Sequence, residues 1–265
     1  TNMVAASSPG GLFLVKCDPA GNVLWLRAAG GDVGGGGGPG GTVPLVADPE
    51  GNIYLAGVLH NATGAPDRGT LQCGTNTLRT ESYAAFVVKY DTAGNILWAT
   101  QSVGGAARAN HVAKDSAGTI WLIGAFEGAC MFGAYPLAND RENGFLATLD
   151  SSGRFTSARA IAEEVEWSVR GERVYPDPEG NIYVAGTFTG AASFGTNRLS
   201  GWDTEVFVLK CDGAGNVHWV DRGRESFTQA HTVSLPLMGR YGSWGTLRTM
   251  YSGGRTRYGR SIRTH

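Results

Sequence analysis

Charge is scarce in this chain. Only 17% of its 265 residues are Asp, Glu, Lys or Arg, and the net charge is −1. No basic stripe precedes the last residues, which excludes an electrostatic surface for nucleic acid or for anionic lipid on the main body. No run of 18 apolar residues occurs, so no transmembrane helix and no membrane insertion are expected. A leader of basic then apolar residues is missing at Thr1, as it would be from a chain already processed. Cysteine is limited to four, with no Cys-x-x-Cys and no Cys/His pairing. That pattern argues against zinc, and no other metal or cofactor has a candidate ligand set.

Glycine, at 41 residues, is plentiful, and much of it recurs in one phrase. Asp-x-x-Gly-Asn or a near copy begins at Asp18, Asp48, Asp91, Asp115, Asp150, Asp177 and Asp212. Its glycines are Gly21, Gly51, Gly94, Gly118, Gly153, Gly180 and Gly215. The steps between the Asp residues are 30, 43, 24, 35, 27 and 35, a short-long alternation that places two phrases in each structural period. Short runs rich in β-branched and aromatic residues flank every phrase, as in FVVKYDTAGNILWA. Two such runs bridged by a few residues containing Gly read as a β-hairpin. The Asp carboxylate caps backbone N–H groups in an Asx-turn, and the Gly supplies the positive φ. One carboxylate per phrase is too few for a calcium loop.

Neighbouring residues sort the hairpins into two kinds. One kind has Phe13, Phe86, Phe145 or Phe207 before the turn and Trp25, Trp98 or Trp219 after it, with Ser157 breaking the Trp column. The other continues as Ile-Tyr or Ile-Trp and then Gly, as in NIYLAG at Asn52–Gly57. Linking phrases join the two kinds: CGTNTL at Cys73–Leu78, FGAYPL at Phe132–Leu137 and FGTNRL at Phe194–Leu199. One period therefore holds four strands, A to D, in an antiparallel meander, which is the plan of a propeller blade. Cys17 and Cys211 share a strand position with Tyr90 and Leu149, and Cys73 shares one with Phe132 and Phe194. All four cysteines are thus expected as buried or half-buried free thiols.

The order D-x-x-G-N-I-Y-[VL]-A-G, F-G-x-x-x-L, F-V-V-K-[YC]-D-x-x-G-N-[VI]-x-W resembles the bacterial β-propeller repeat family known as SBBP, over about residues 9–224. The resemblance implies a seven-bladed propeller in an exported or cell-surface bacterial protein, with no general catalytic set to carry over. The expected fold is an all-β propeller forming one domain over residues 1–265. Its units are about residues 11–28 (C and D strands only), 42–104, 109–162 and 171–223. Residues 226–265 lack the phrase and carry RGR, RTR and RSIRTH. They are expected either as A and B strands closing the opening half-blade or as an irregular tail. The ring then either closes with four blades or belongs to a longer propeller.

With all phrases on one pole, the D–A and B–C loops gather on the other, where insertions mark a binding face. The A strands are expected to begin there with Asn110-His111, Glu172-Arg173 and His231, a polar rim at a channel mouth and the candidate ligand site. No acid, base and nucleophile stand at diagnostic spacing. The favoured reading is a non-catalytic interaction propeller presenting this pole to a protein or glycan partner. A lyase- or hydrolase-type enzyme at the channel mouth and a fragment of a longer repeat protein are the alternatives, with self-association expected through unpaired end strands.

Overall fold

The computed structural model describes residues 12–29, 31, 33–34, 43–61, 69–223, 230–234, 247–253 and 256–262; for the last three segments it describes the backbone. Every Asp-x-x-Gly phrase closes a hairpin with three shared bonds, Asp Oδ1 accepting from the N–H four residues on, Gly N–H donating to the Asp carbonyl, and Asp N–H donating to the carbonyl four residues on. At Asp18, Oδ1 accepts from the N–H of Ala20 and of Asn22, and Oδ2 accepts from the Asn22 amide. The backbone adds Gly21 N–H to Asp18 O at 3.0 Å and Asp18 N–H to Asn22 O at 2.9 Å. The phrase glycines all sit between φ 80 and 91, where a side chain would be strained.

The described residues are all β, with no helix long and apolar enough to cross a membrane. β1 (Leu12–Cys17) and β2 (Val23–Ala29) form a hairpin standing as its own sheet. β3 (Val33–Gly34) and β4 (Leu45–Ala47) both pair with β5 (Ile53–His60), while β6 (Thr70–Cys73) and β7 (Asn76–Arg79) form a small hairpin. β5 pairs with β8 (Tyr83–Tyr90), and β8 with β9 (Ile96–Gln101). A second meander follows from β10 (Val103–Lys114), β11 (Ile120–Phe132), β12 (Tyr135–Leu149) and β13 (Phe155–Ala160). After the short β14 (Glu164–Val165), a third consists of β15 (Ser168–Pro176), β16 (Asn181–Phe194), β17 (Asn197–Asp212) and β18 (Val217–Arg222). Single parallel bridges, Tyr83–Ala106 and Glu142–Ser168, join successive meanders.

The linking phrases are tight hairpin turns rather than loops. Cys73 pairs with Asn76, Phe132 with Tyr135 and Phe194 with Asn197, with Gly74, Gly133 and Gly195 at φ near 60 in the turns. A two-residue turn lets β11, β12, β16 and β17 run as long continuous hairpins; the 61–69 insertion separates β5 from β6 in the first meander.

Each meander is filled by the Phe before its C–D turn. Phe86, Phe145 and Phe207 are fully buried, and each lies opposite a glycine of the neighbouring strand: Gly57, Gly124 and Gly186. A Cβ on Gly124 would stand 2.8 Å from the Phe145 ring, and one on Gly186 would stand 2.6 Å from Phe207. The A-strand carbonyls of Arg108 and Arg170 come nearer still, so carbonyl and ring together fill the space a side chain would take, and burying each Phe is worth about 2–3 kcal/mol.

The Trp column joins one unit to the next. Trp25 Nε1–H donates to Thr92 O at 3.0 Å, and Trp98 Nε1–H to Ser151 O at 3.0 Å; both acceptors follow the Asp of the next unit's C–D turn. Gly94 and Gly153 are buried beneath these indoles, and a Cβ there would approach within 3.1 and 2.5 Å. Where Ser157 replaces Trp, Arg159 covers Gly215 instead.

Two expectations are corrected at the ends. The C-terminal segment does not complete the opening hairpin: β19 (Ala230–Ser234), β20 (Leu247–Gly253) and β21 (Thr256–Ile262) form a separate antiparallel sheet. β21 holds the edge of β20 that β1 would have needed, and no described sheet closes on itself. Cys17 is also exposed, whereas Cys73, Cys130 and Cys211 are buried and free. Its partners in the repeat, Tyr90, Leu149 and Cys211, are each covered by a B strand, which β1 lacks among the described residues.

Candidate functional site

β10 and β15 run side by side, and their middles bring Asn110, His111, Glu172 and Arg173 together. The four residues lie mid-strand rather than at a strand's beginning, because β10 starts at Val103, immediately after Ser102, and β15 at Ser168. Both strands bulge at the same repeat position: Asn110 is the extra residue against β11 and Glu172 the extra residue against β16. A bulge re-aims the side chain it carries, and at Asn110 it turns a polar group onto the neighbouring A strand, where Nδ2 meets Gly171 O.

Asn110 is buried, and its Nδ2 donates to Gly171 O at 2.9 Å while its Oδ1 has no partner among the described residues. His111 Nδ1 accepts from Val174 N–H at 3.4 Å, and its ring lies 5.6 Å from Tyr175. Burial and the Arg173 charge push His111 down to about 4, so it is neutral at pH 7. Burial pushes Glu172 up to about 7, against the opposing pull of Arg173 and Arg170, while Glu142 adds to the rise. Arg173 Nη1 donates to the Glu172 carbonyl at 2.7 Å. Arg170 Nε meets Glu142 Oε2 at 2.6 Å, and Arg108 stands 3.9 Å from the other Glu142 oxygen. The cluster is therefore half-buried polar packing rather than a solvated rim. The side chain of His231 lies outside the described residues; its strand, β19, contacts β15 and β16.

The expected gathering of D–A and B–C loops opposite the Asp turns is corrected for the B–C turns, which fold back onto the starts of the D strands, a Cβ on Gly133 lying 3.2 Å from Phe155 and one on Gly195 3.4 Å from Val217. The D–A connections and the bulged bases of the B–C hairpins stay at the far strand ends. An open groove of about 980 Å³ lies there, lined by polar groups that include Arg79, Glu81, Ser82 and Gln101. At the same pole stand two exposed tryptophans, Trp202 at 89% and Trp167 at 50% exposure. They flank one bulge: a Cβ on Gly190 would lie 3.2 Å from Trp167, and Gly190 pairs with Gly201, next to Trp202. Glu166 Oε2 accepts from Ala191 N–H at 2.8 Å and fixes the segment that carries Trp167. Sequence reading missed both residues; the signal was two Trp outside the Trp column. Most of the Gly-rich segment from Gly30 to Gly41 lies outside the described residues, although Val33–Gly34 pairs with β5 and Gly31 bridges Leu71.

Among the described residues no three His, Cys, Asp or Glu side chains converge as a metal centre would require. No family model matches the chain, and no curated protein matches it.

Proposed function

We propose that this chain is a non-catalytic interaction propeller of an exported or surface bacterial protein, its meanders serving as blades, and that its loop pole takes a protein or glycan partner. The repeat phrase supports the propeller and its location through its resemblance to the SBBP family; adjacent four-stranded meanders whose A strands run side by side agree with it. The observation that carries the binding role is the pair Trp167 and Trp202 exposed beside one bulge. Exposed indoles offer large, rigid, amphipathic contact area, suited to the apolar face of a sugar ring or to an interface anchor. The polar groove at the same pole supplies hydrogen-bonding groups.

The test is binding of the whole chain to a panel of defined soluble oligosaccharides and to a displayed peptide library, compared with a Trp167→Ala/Trp202→Ala variant. Each Trp is a hot-spot candidate worth about 2 kcal/mol or more. The variant should therefore lose at least about tenfold in affinity with its melting temperature unchanged. Equal binding by the variant, or a wild-type chain that binds nothing in either panel, ends this reading.

A second reading has one observation of its own. Glu172, pushed up to about 7, could exchange a proton near neutral pH, the property of an acid–base catalyst in a lyase or hydrolase. Its carboxyl, however, is set against Arg173, Arg170 and Glu142 within packed strands, with no nucleophile in the described cluster.

A further inference from the structure

Phe13 is 72% exposed, whereas its repeat equivalents Phe86, Phe145 and Phe207 are 0% exposed. Val15 and Cys17, on the same face of β1, are exposed too, and their equivalents Val88, Ala147, Leu209 and Tyr90, Leu149, Cys211 are buried. The cause is topological: β1 pairs with β2 on one side and, among the described residues, with nothing on the other. In the complete meanders that edge is filled by the Ile-Tyr/Trp-x-Ala/Ile-Gly strand in one constant register. Ile53, Ile120 and Ile182 oppose Tyr90, Leu149 and Cys211. Tyr54, Trp121 and Tyr183 oppose Lys89, Thr148 and Lys210. The glycines oppose the phenylalanines. The hairpin lacks its other repeat contact as well: Gly94, Gly153 and Gly215 are each covered by a side chain of the preceding unit, and Gly21 meets nothing within 4 Å among the described residues.

We infer that the open edge of β1 is a strand-acceptor site for one further segment of the pattern Asn-Ile-Tyr-x-Ala-Gly, supplied from outside the described strands. That segment adds antiparallel to β1 with Ile opposite Cys17, Tyr opposite Lys16 and Gly opposite Phe13. The Phe13 ring then covers the glycine, as the Phe145 and Phe207 rings cover Gly124 and Gly186. Lys16 approaches the incoming Tyr as Lys89 approaches Tyr54, at 5.2 Å, and Lys210 approaches Tyr183, at 5.6 Å. Main-chain bonds to the free edge supply affinity, and the Gly under Phe13 supplies selectivity.

The test is hydrogen exchange of the full chain with and without a synthetic peptide copying residues 48–60, DPEGNIYLAGVLH. The peptide should slow exchange of the β1 amides that face away from β2 by about tenfold or more and leave β8 unchanged. A peptide carrying Gly57→Val, whose branched Cβ lands under Phe13, should give no protection. Phe13→Asp in the chain should abolish the effect, and because Phe13 is exposed the variant keeps its fold, seen as unchanged β8 protection. No protection of β1, or equal protection by the Gly57→Val peptide, overturns the inference. So does protection that depends on chain concentration without peptide, which would mean that two β1 edges pair with each other.

Discussion

Gly153→Ala should be among the most damaging single-methyl changes in this protein, and its cost can be divided in two. Gly153 has φ 84, so any side chain there pays for left-handed backbone, about 1–2 kcal/mol. Gly118 has φ 91 and nothing within 4 Å of its would-be Cβ, so Gly118→Ala carries that backbone cost alone. At Gly153 the methyl also lands 2.5 Å from Trp98 Cδ2 and 2.6 Å from Cε3, inside a rigid indole held by its bond to Ser151 O. Overpacking of that kind adds about 1–3 kcal/mol. Gly153→Ala should therefore cost about 2–5 kcal/mol against about 1–2 for Gly118→Ala. Gly215→Ala should fall between them, because the atoms it meets belong to the flexible Arg159 side chain. Urea denaturation of the three variants measures the order. Adding Trp98→Ala should bring the further cost of Gly153→Ala down to that of Gly118→Ala, a double-mutant coupling of about 1–3 kcal/mol. If Gly153→Ala costs no more than Gly118→Ala, or does not couple to Trp98→Ala, the indole is not what fastens one unit to the next.

The seam cluster predicts opposed pH dependences. Glu172 is raised from 4.5 to about 7, so between those values the folded chain keeps a proton the unfolded chain has lost, and stability falls as pH rises. His111 is lowered from 6.5 to about 4, so the unfolded chain holds the extra proton there, and stability rises with pH. Relative to wild type, Glu172→Gln should make stability climb more steeply from pH 4.5 to 6.5 and His111→Gln should make it fall; urea midpoints across that range check both, and the same slope in all three proteins contradicts the shifts. Thiol titration with a soluble aromatic disulfide should find one rapidly reacting cysteine in the native chain, Cys17, and all four in denaturant. Burial pushes Cys73, Cys130 and Cys211 up to about 11, so more than one fast native thiol would mean these strands open readily.

Strand order was legible because the Asp turns punctuate it. An Asp whose side chain caps two or three amides and a Gly forced to positive φ are local devices, readable from five residues at a time. The Phe and Trp columns were legible as columns, but the sequence did not say what they do. Phe145 covers a glycine one strand away, and Trp98 bonds a carbonyl 53 residues on, relations visible only once the strands are paired. The linking phrases hid their turns for the same reason: Phe-Gly-Ala-Tyr reads equally as a loop until Phe132 is seen opposite Tyr135. The candidate site was half legible. Asn110 and His111 do reach the neighbouring A strand, at Gly171 and at Val174 and Tyr175, because repeat alignment places equivalent strands side by side. Their burial was missed, since β10 and β15 extend well before the apolar runs that mark their cores.

Phe13 with Val15, and Trp202, are among the large apolar side chains left exposed, and the repeat separates their causes. Phe13 and Val15 occupy positions that are buried in every complete unit, so their exposure records the edge of β1 that no described strand fills. Trp202 does not. Counting back from the column Phe, its equivalents are Asp140 and Glu81, both exposed and both polar. The fold asks for a charged or hydrophilic residue at that position, and no core position is left unfilled when Trp stands there. A tryptophan at 89% exposure where the repeat otherwise keeps a carboxylate gains nothing from folding, since its apolar surface stays in water in the folded chain as in the unfolded one. Folding stability therefore gives no reason for Trp202, and the proposed binding role would: its apolar surface leaves water only when a partner covers it. The proposed strand-acceptor edge at β1 and the proposed binding surface at Trp167 and Trp202 lie at different places on the chain, so Phe13→Asp should leave ligand binding intact while Trp202→Ala leaves strand addition intact. If either substitution disturbs both, the two surfaces are one.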